Sequence, residues 1–155
     1  EPVRRLPLAL LCAALAVGFA LLSRRPPSRV AIVLDGPYLA EVAQALGFEP
    51  RLSSGERVRL EVCRRLLGLD TPLPVAVLLE GGRVRGVVIG YPSKALWPRI
   101  ASALEEGPIL AYSVPEELAP WRCAACPPSG RNIEGIARLS EGEVEEVERL
   151  LEVRR

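Results

Sequence analysis

The chain has 155 residues, with 20 Lys and Arg against 19 Asp and Glu, and this net charge of +1 argues against a nucleic-acid partner. Apolar residues make up 49% of it and charged residues 25%, which excludes a disordered chain and suits a domain with a real core. It contains no His, which removes the commonest general base, the serine-type triad and most catalytic zinc sites.

Residues 6–22, opened by Leu6 and closed by Leu22, carry no charge and show no polar stripe. The run is close to the minimum of about 17 apolar residues for a bilayer span, and it predicts a single N-terminal transmembrane helix. A cleaved signal peptide is the alternative, since Ala14-Leu15-Ala16 has the small-x-small pattern. Arginines flank both sides. With so short a leading tail, the N-terminus is expected in the cytoplasm and the remainder outside it. Cys12, within the run, reads as a small lipid- or protein-facing residue. Residues 24–28, Arg-Arg-Pro-Pro-Ser, form a short stiff linker.

Next comes an apolar run at 30–34 that suits a central strand. Asp35-Gly36-Pro37 breaks it and opens a helix, in which Leu39, Val42, Ala43 and Leu46 share one face and Gly47 is the stop. Residues 48–52 read as a weaker strand, confined to a sheet edge by Pro50. Ser53 and Glu56 have the spacing of a capping box. The helix it would open carries Val58, Val62, Cys63, Leu66 and Leu67, although Val58, Leu60 and Val62 also alternate as in a strand. Residues 73–90 read as a β-hairpin. Val75 to Leu79 is apolar throughout, Gly81-Gly82 supplies the positive φ of a tight turn, and Val84, Gly86 and Val88 share a face of the second strand. A helix from Ser93 to about Glu105 follows, with Leu96, Trp97, Ile100 and Leu104 on its buried side.

Strand, helix, strand, helix, hairpin, helix over 29–106, with Pro74 just ahead of the buried strand, resembles the thioredoxin and glutaredoxin fold. The resemblance implies an α/β domain with a mixed four-stranded sheet, flanking helices and a proline that is usually cis. It divides the chain into an anchor and linker (1–28), a thioredoxin-like domain (29–106) and a C-terminal extension (107–155). In that extension, 109–114 reads as an added strand and 121–128 as a rigid cysteine-bearing loop. Ser140 and Glu143 form a second capping box, and the last helix carries Val144, Val147, Leu150 and Leu151 on a stripe expected to dock on the domain.

In such oxidoreductases a Cys-x-x-Cys pair opens the first helix, whose N-terminus lowers the thiol pKa. The matching positions here are Asp35-Gly36-Pro37-Tyr38. Asp35 is expected to cap the helix and Tyr38 to pack or hydrogen-bond nearby. Thiol exchange at that place is excluded by residue type. The one Cys-x-x-Cys is Cys123-Ala124-Ala125-Cys126. Three readings compete, in this order: a structural disulfide, a redox pair assisted by Arg122 and walled by Trp121, and half of a zinc site shared between two copies. Cys63 reads as an inert core thiol, with a resolving partner for Cys123 or Cys126 as the minor alternative. No phosphate loop, dinucleotide fingerprint or other cofactor motif is present. The resulting expectation is a membrane-anchored thioredoxin-like protein exchanging disulfides through Cys123 and Cys126, with no cofactor. The alternative is a non-catalytic module that binds a protein partner beside Asp35, Tyr38, Thr71, Leu73 and Pro74.

Overall fold

The computed structural model describes residues 28–152 except 124 and 128, so the predicted transmembrane run lies outside the described residues. No helix among the described residues is long and apolar enough to cross a membrane. The fold is mixed α/β. Strands β1 (Arg29–Leu34), β2 (Glu49–Ser53), β3 (Val75–Glu80), β4 (Arg83–Gly90), β5 (Ile109–Pro115) and β6 (Asn132–Arg138) form a single sheet in the order β2-β1-β3-β4-β5-β6. The helices are α1 (Pro37–Ala45), α2 (Glu56–Leu67), α3 (Trp97–Glu106) and α4 (Glu141–Glu152). β1 and β2 are parallel, as are β4 and β5, whereas β3 runs against both β1 and β4, and β6 runs against β5.

β3 sits between β1 and β4, and its side chains divide between two cores. Val75, Val77 and Leu79 enter the core closed by α2 and α4, and Ala76 and Leu78 enter the one closed by α1 and α3. All five are buried, as an uninterrupted apolar run requires when both faces of a strand are covered. Gly81 (φ 61°) and Gly82 (φ 81°) make the turn into β4 in the left-handed region expected of a tight hairpin. α1 buries Leu39, Val42 and Ala43, and α4 buries Val144, Val147 and Leu151, both on the stripes read from the sequence.

Several expectations are corrected. The sheet has six strands where four were expected, because β5 and β6 continue it beyond β4. Residues 56–67 are helical, so the alternating Val58, Leu60 and Val62 do not form a strand. That helix is preceded by Gly55 and has no side-chain hydrogen bond at its cap, so the Ser53–Glu56 box does not form. The box at α4 does form: the Ser140 amide donates to Glu143 Oε1 (3.0 Å) and the Glu143 amide to Ser140 Oγ (3.2 Å). α3 starts at Trp97 rather than Ser93, after a turn in which the Leu96 amide bonds the Ser93 carbonyl (2.9 Å). No peptide bond among the described residues is cis, so Pro74 lacks the usual feature of the resembled fold.

β6 has no counterpart among the elements expected from the sequence. It is strapped to α3 at two points. Glu134 accepts from the Ser93 amide (2.8 Å) and hydroxyl (2.9 Å) in the turn ahead of α3. Arg138 donates to the Ala103 (2.8 Å) and Gly107 (3.1 Å) carbonyls at the far end, filling acceptors that a helix leaves open.

Candidate functional site at one end of the sheet

Strand directions decide which loops meet. β1, β4 and β5 finish, and β3 and β6 begin, at the same end of the sheet. That end therefore collects the 35–38 turn, the 71–74 loop, the Tyr91-Pro92-Ser93 segment and the cysteine-bearing loop between β5 and β6.

Asp35 has φ 65°, a left-handed conformation that Asp tolerates better than most residues, and Gly36 follows at φ 113°. Two successive positive φ angles turn the chain sharply from β1 into α1. The expected cap is not made: Gly36 holds the N-cap position without a side-chain hydrogen bond. Asp35 instead pairs with Arg59 on α2, Nη1 to Oδ2 3.2 Å. The same Nη1 donates to the Pro72 carbonyl (3.5 Å), so one guanidinium joins the turn to the loop ahead of β3. Arg59 Nε is buried and finds no hydrogen-bond partner. A Cβ at Gly36 would lie 4.0 Å from Pro74 Cβ, which sets how closely the two loops approach.

Tyr38 faces the other neighbour. Its hydroxyl donates to the Pro92 carbonyl, which also accepts from Trp97 Nε1 (3.2 Å). Its ring centroid lies 6.1 Å from that of Trp97 and 6.4 Å from that of Tyr91, both within the aromatic pairing range. The sheet end is thus tied across: Arg59 couples Asp35 to Pro72, and Tyr38 couples α1 to the entrance of α3. Thr71 is exposed, while Leu73 and Pro74 are buried. The Pro74 carbonyl accepts from the Gly90 amide (2.8 Å), and the Ser113 carbonyl from the Tyr91 amide (3.2 Å). Gly90 has φ 91°, and a Cβ there would overlap the Ser113 carbonyl oxygen.

The sulfur atoms fall into two environments. Cys63 is fully buried on α2. Burial pushes its thiol pKa up; a hydrogen bond from the Leu73 backbone and the charge of Arg59 offset this only in part. It is a protonated core thiol rather than a nucleophile. Cys123 and Cys126 form a disulfide, with Cα atoms 5.3 Å apart, and both residues are exposed. Disulfide bonding leaves neither sulfur as a thiolate ligand, and among the described residues no cluster of His, Cys, Asp or Glu fits a metal ion.

Three residues, Arg122, Glu116 and Trp121, hold this loop. Arg122 Nη2 donates to the Cys126 carbonyl (3.2 Å), and its buried Nε, with no hydrogen-bond partner, sits 3.9 Å from Glu116 Oε1. Glu116 Oε2 accepts from the Ser129 amide and hydroxyl, each at 2.8 Å, and these donors pull its pKa below the ordinary carboxylate value. The Trp121 ring packs edge-on against Tyr112 (5.8 Å). Tyr112 in turn lies over Gly135 on β6, where a Cβ would collide with the ring.

Sequence reasoning named Asp35, Tyr38, Thr71, Leu73, Pro74 and the cysteine pair, which all lie at this end of the sheet. It missed Arg59, Glu116 and Glu134, whose partners lie 24, 13 and up to 41 residues away. In comparisons with known proteins, the chain matches no family model, no curated protein and no solved structure.

Proposed function

We propose that the chain is a membrane-anchored thioredoxin-like protein that exchanges disulfides through Cys123 and Cys126. Support for the fold comes from topology: a parallel β1-α1-β2 unit is followed by an antiparallel β3-β4 hairpin and α3, in the sheet order β2-β1-β3-β4. One observation carries the chemistry. The exposed disulfide lies at the same sheet end as the Asp35 turn and Pro74, where the resembled oxidoreductases keep their reactive pair. Arg122, bonded to the Cys126 carbonyl, adds positive charge beside a thiolate formed on opening.

The exchange balances with a dithiol protein as co-reactant. A partner thiolate attacks one sulfur of the pair, the Cys123–Cys126 bond breaks, and a mixed disulfide forms. The displaced sulfur takes up a proton. The second partner thiolate then attacks the mixed disulfide, so the partner is oxidised by two electrons and the pair leaves as two thiols. A disulfide-bearing partner returns them to the oxidised form.

The deciding measurement equilibrates the full chain in detergent with dithiol buffers and counts alkylated thiols. A reduction potential above about −300 mV is expected, and a lower value would place the bond among inert structural disulfides. Labelling of intact cells with a membrane-impermeant thiol reagent, before and after reduction, tests the extracytoplasmic location of the loop.

A second reading, a non-catalytic module binding a protein partner, draws on one observation. Tyr91, Leu118 and Trp121 remain 48%, 38% and 45% exposed, all at this same sheet end. A pull-down from membranes that recovers a specific partner equally well with Cys123→Ser and Cys126→Ser supports it over exchange.

A further inference from the structure

The two edges of the sheet differ in what they offer another strand. β2 has five residues, with Pro50 inside it, and Pro50 has no amide to donate. β6 has seven residues, Asn132 to Arg138, and contains neither Pro nor Lys. Natural edges are ordinarily blunted by such residues or by a covering element. Among the described residues no strand pairs with the outer edge of β6, and its only charged side chains are Glu134 and Arg138.

Its side chains carry a self-complementary pattern. Glu134, Ile136 and Arg138 share the face towards α3, as the straps to Ser93 and Ala103 require. Ile136 is only half-buried there and lines an open crevice of about 490 Å³ between α3 and the edge, with Pro98, Ser102 and Ala103. If a second β6 is laid antiparallel with Ile136 opposite Ile136, Glu134 falls opposite Arg138 of the other copy, and Arg138 opposite its Glu134. Gly135 meets Ala137, so nothing bulky collides on the other face. Opposite charges directly across an antiparallel pair are favourable, and here they add to contacts within each copy, Arg138 with Glu106 (2.5 Å) and Glu134 with Ser93 and Ser113. The isologous contact closes on itself, as a two-fold dimer requires.

We propose that β6 is a homodimer edge, two copies pairing their β6 strands antiparallel about a two-fold axis at Ile136. The sheet then runs continuously through both copies, the unpaired backbone groups of β6 are satisfied, and the crevice beside α3 is closed by the second chain. Pairing of β6 with a strand of an unrelated protein is the competing outcome.

The test uses the full chain in detergent carrying Cys123→Ser and Cys126→Ser, with one added cysteine. Ile136→Cys places two sulfurs across the axis, within disulfide reach, whereas Ala137→Cys sets them beyond the Cα separation of about 7 Å that a bond spans. Under mild oxidant, Ile136→Cys is expected to cross-link at least about tenfold faster than Ala137→Cys. Sedimentation of the same chain without added cysteine is expected to give a dimer, and Ile136→Lys a monomer with unchanged circular dichroism. Equal cross-linking rates, or a monomer throughout, overturn the proposal; a dimer held only by the apolar segment at 6–22 gives the equal rates.

Discussion

Cys63 and the Cys123–Cys126 pair show how one element, sulfur, is given opposite duties by its surroundings. Cys63 is held on α2 among the apolar side chains of the core, where burial opposes its ionisation. The pair lies on an exposed loop fastened by a few polar contacts and one aromatic edge. The core region owes its shape to packing on both sides of β3. The loop owes its shape to Arg122, Glu116 and the bond itself. Removing parts of each should therefore produce effects of different size and kind.

The largest effect is expected in the core region. Gly90→Ala forces a Cβ into the Ser113 carbonyl and a side chain into a positive φ, and it should destabilise the fold by at least about 3 kcal/mol. Urea unfolding of the variant checks this, and a loss below 1 kcal/mol would mean that β4 and β5 part easily at this end. A smaller effect is expected in the loop. Joint replacement Cys123→Ser and Cys126→Ser opens a ring of only four residues, so the chain-entropy contribution is at most about 2 kcal/mol. Cys63 should stay unlabelled by thiol reagents in the folded double variant, and labelling there would erase the contrast.

The smallest effect is a dependence on pH. Glu116 has a depressed pKa, so its contribution to loop order is present above the unfolded carboxylate pKa and lost as pH falls through the folded value. Ser129→Ala removes one of its donors and should shift that acid transition to higher pH, followed through the fluorescence of Trp121 in a Trp97→Phe background. An unchanged midpoint would mean that Arg122, not Ser129, holds the carboxylate.

The elements legible in the sequence are those whose signal is local. Val75 to Leu79 with Gly81-Gly82 specifies a buried strand and its turn wherever it lies, and Ser140 with Glu143 specifies a helix start within four residues. β6 was invisible for the opposite reason: it is charged, mostly exposed, interrupted by Gly135, and becomes a strand only because β5 offers it a ladder. Ser53 and Glu56 show the converse, a correct local pattern set aside when Gly55 took the cap position. At the site, Asp35 was found by its place after β1, but its role was not, since Arg59 reaches it from another helix.

The polarity of β1 has one further consequence. The chain arrives at Arg29 and climbs six residues, roughly 20 Å, before turning at Asp35. The chain therefore enters the sheet at the pole opposite the sulfur loop. The length of the strands, rather than any loop, sets how far the disulfide stands from that point of entry.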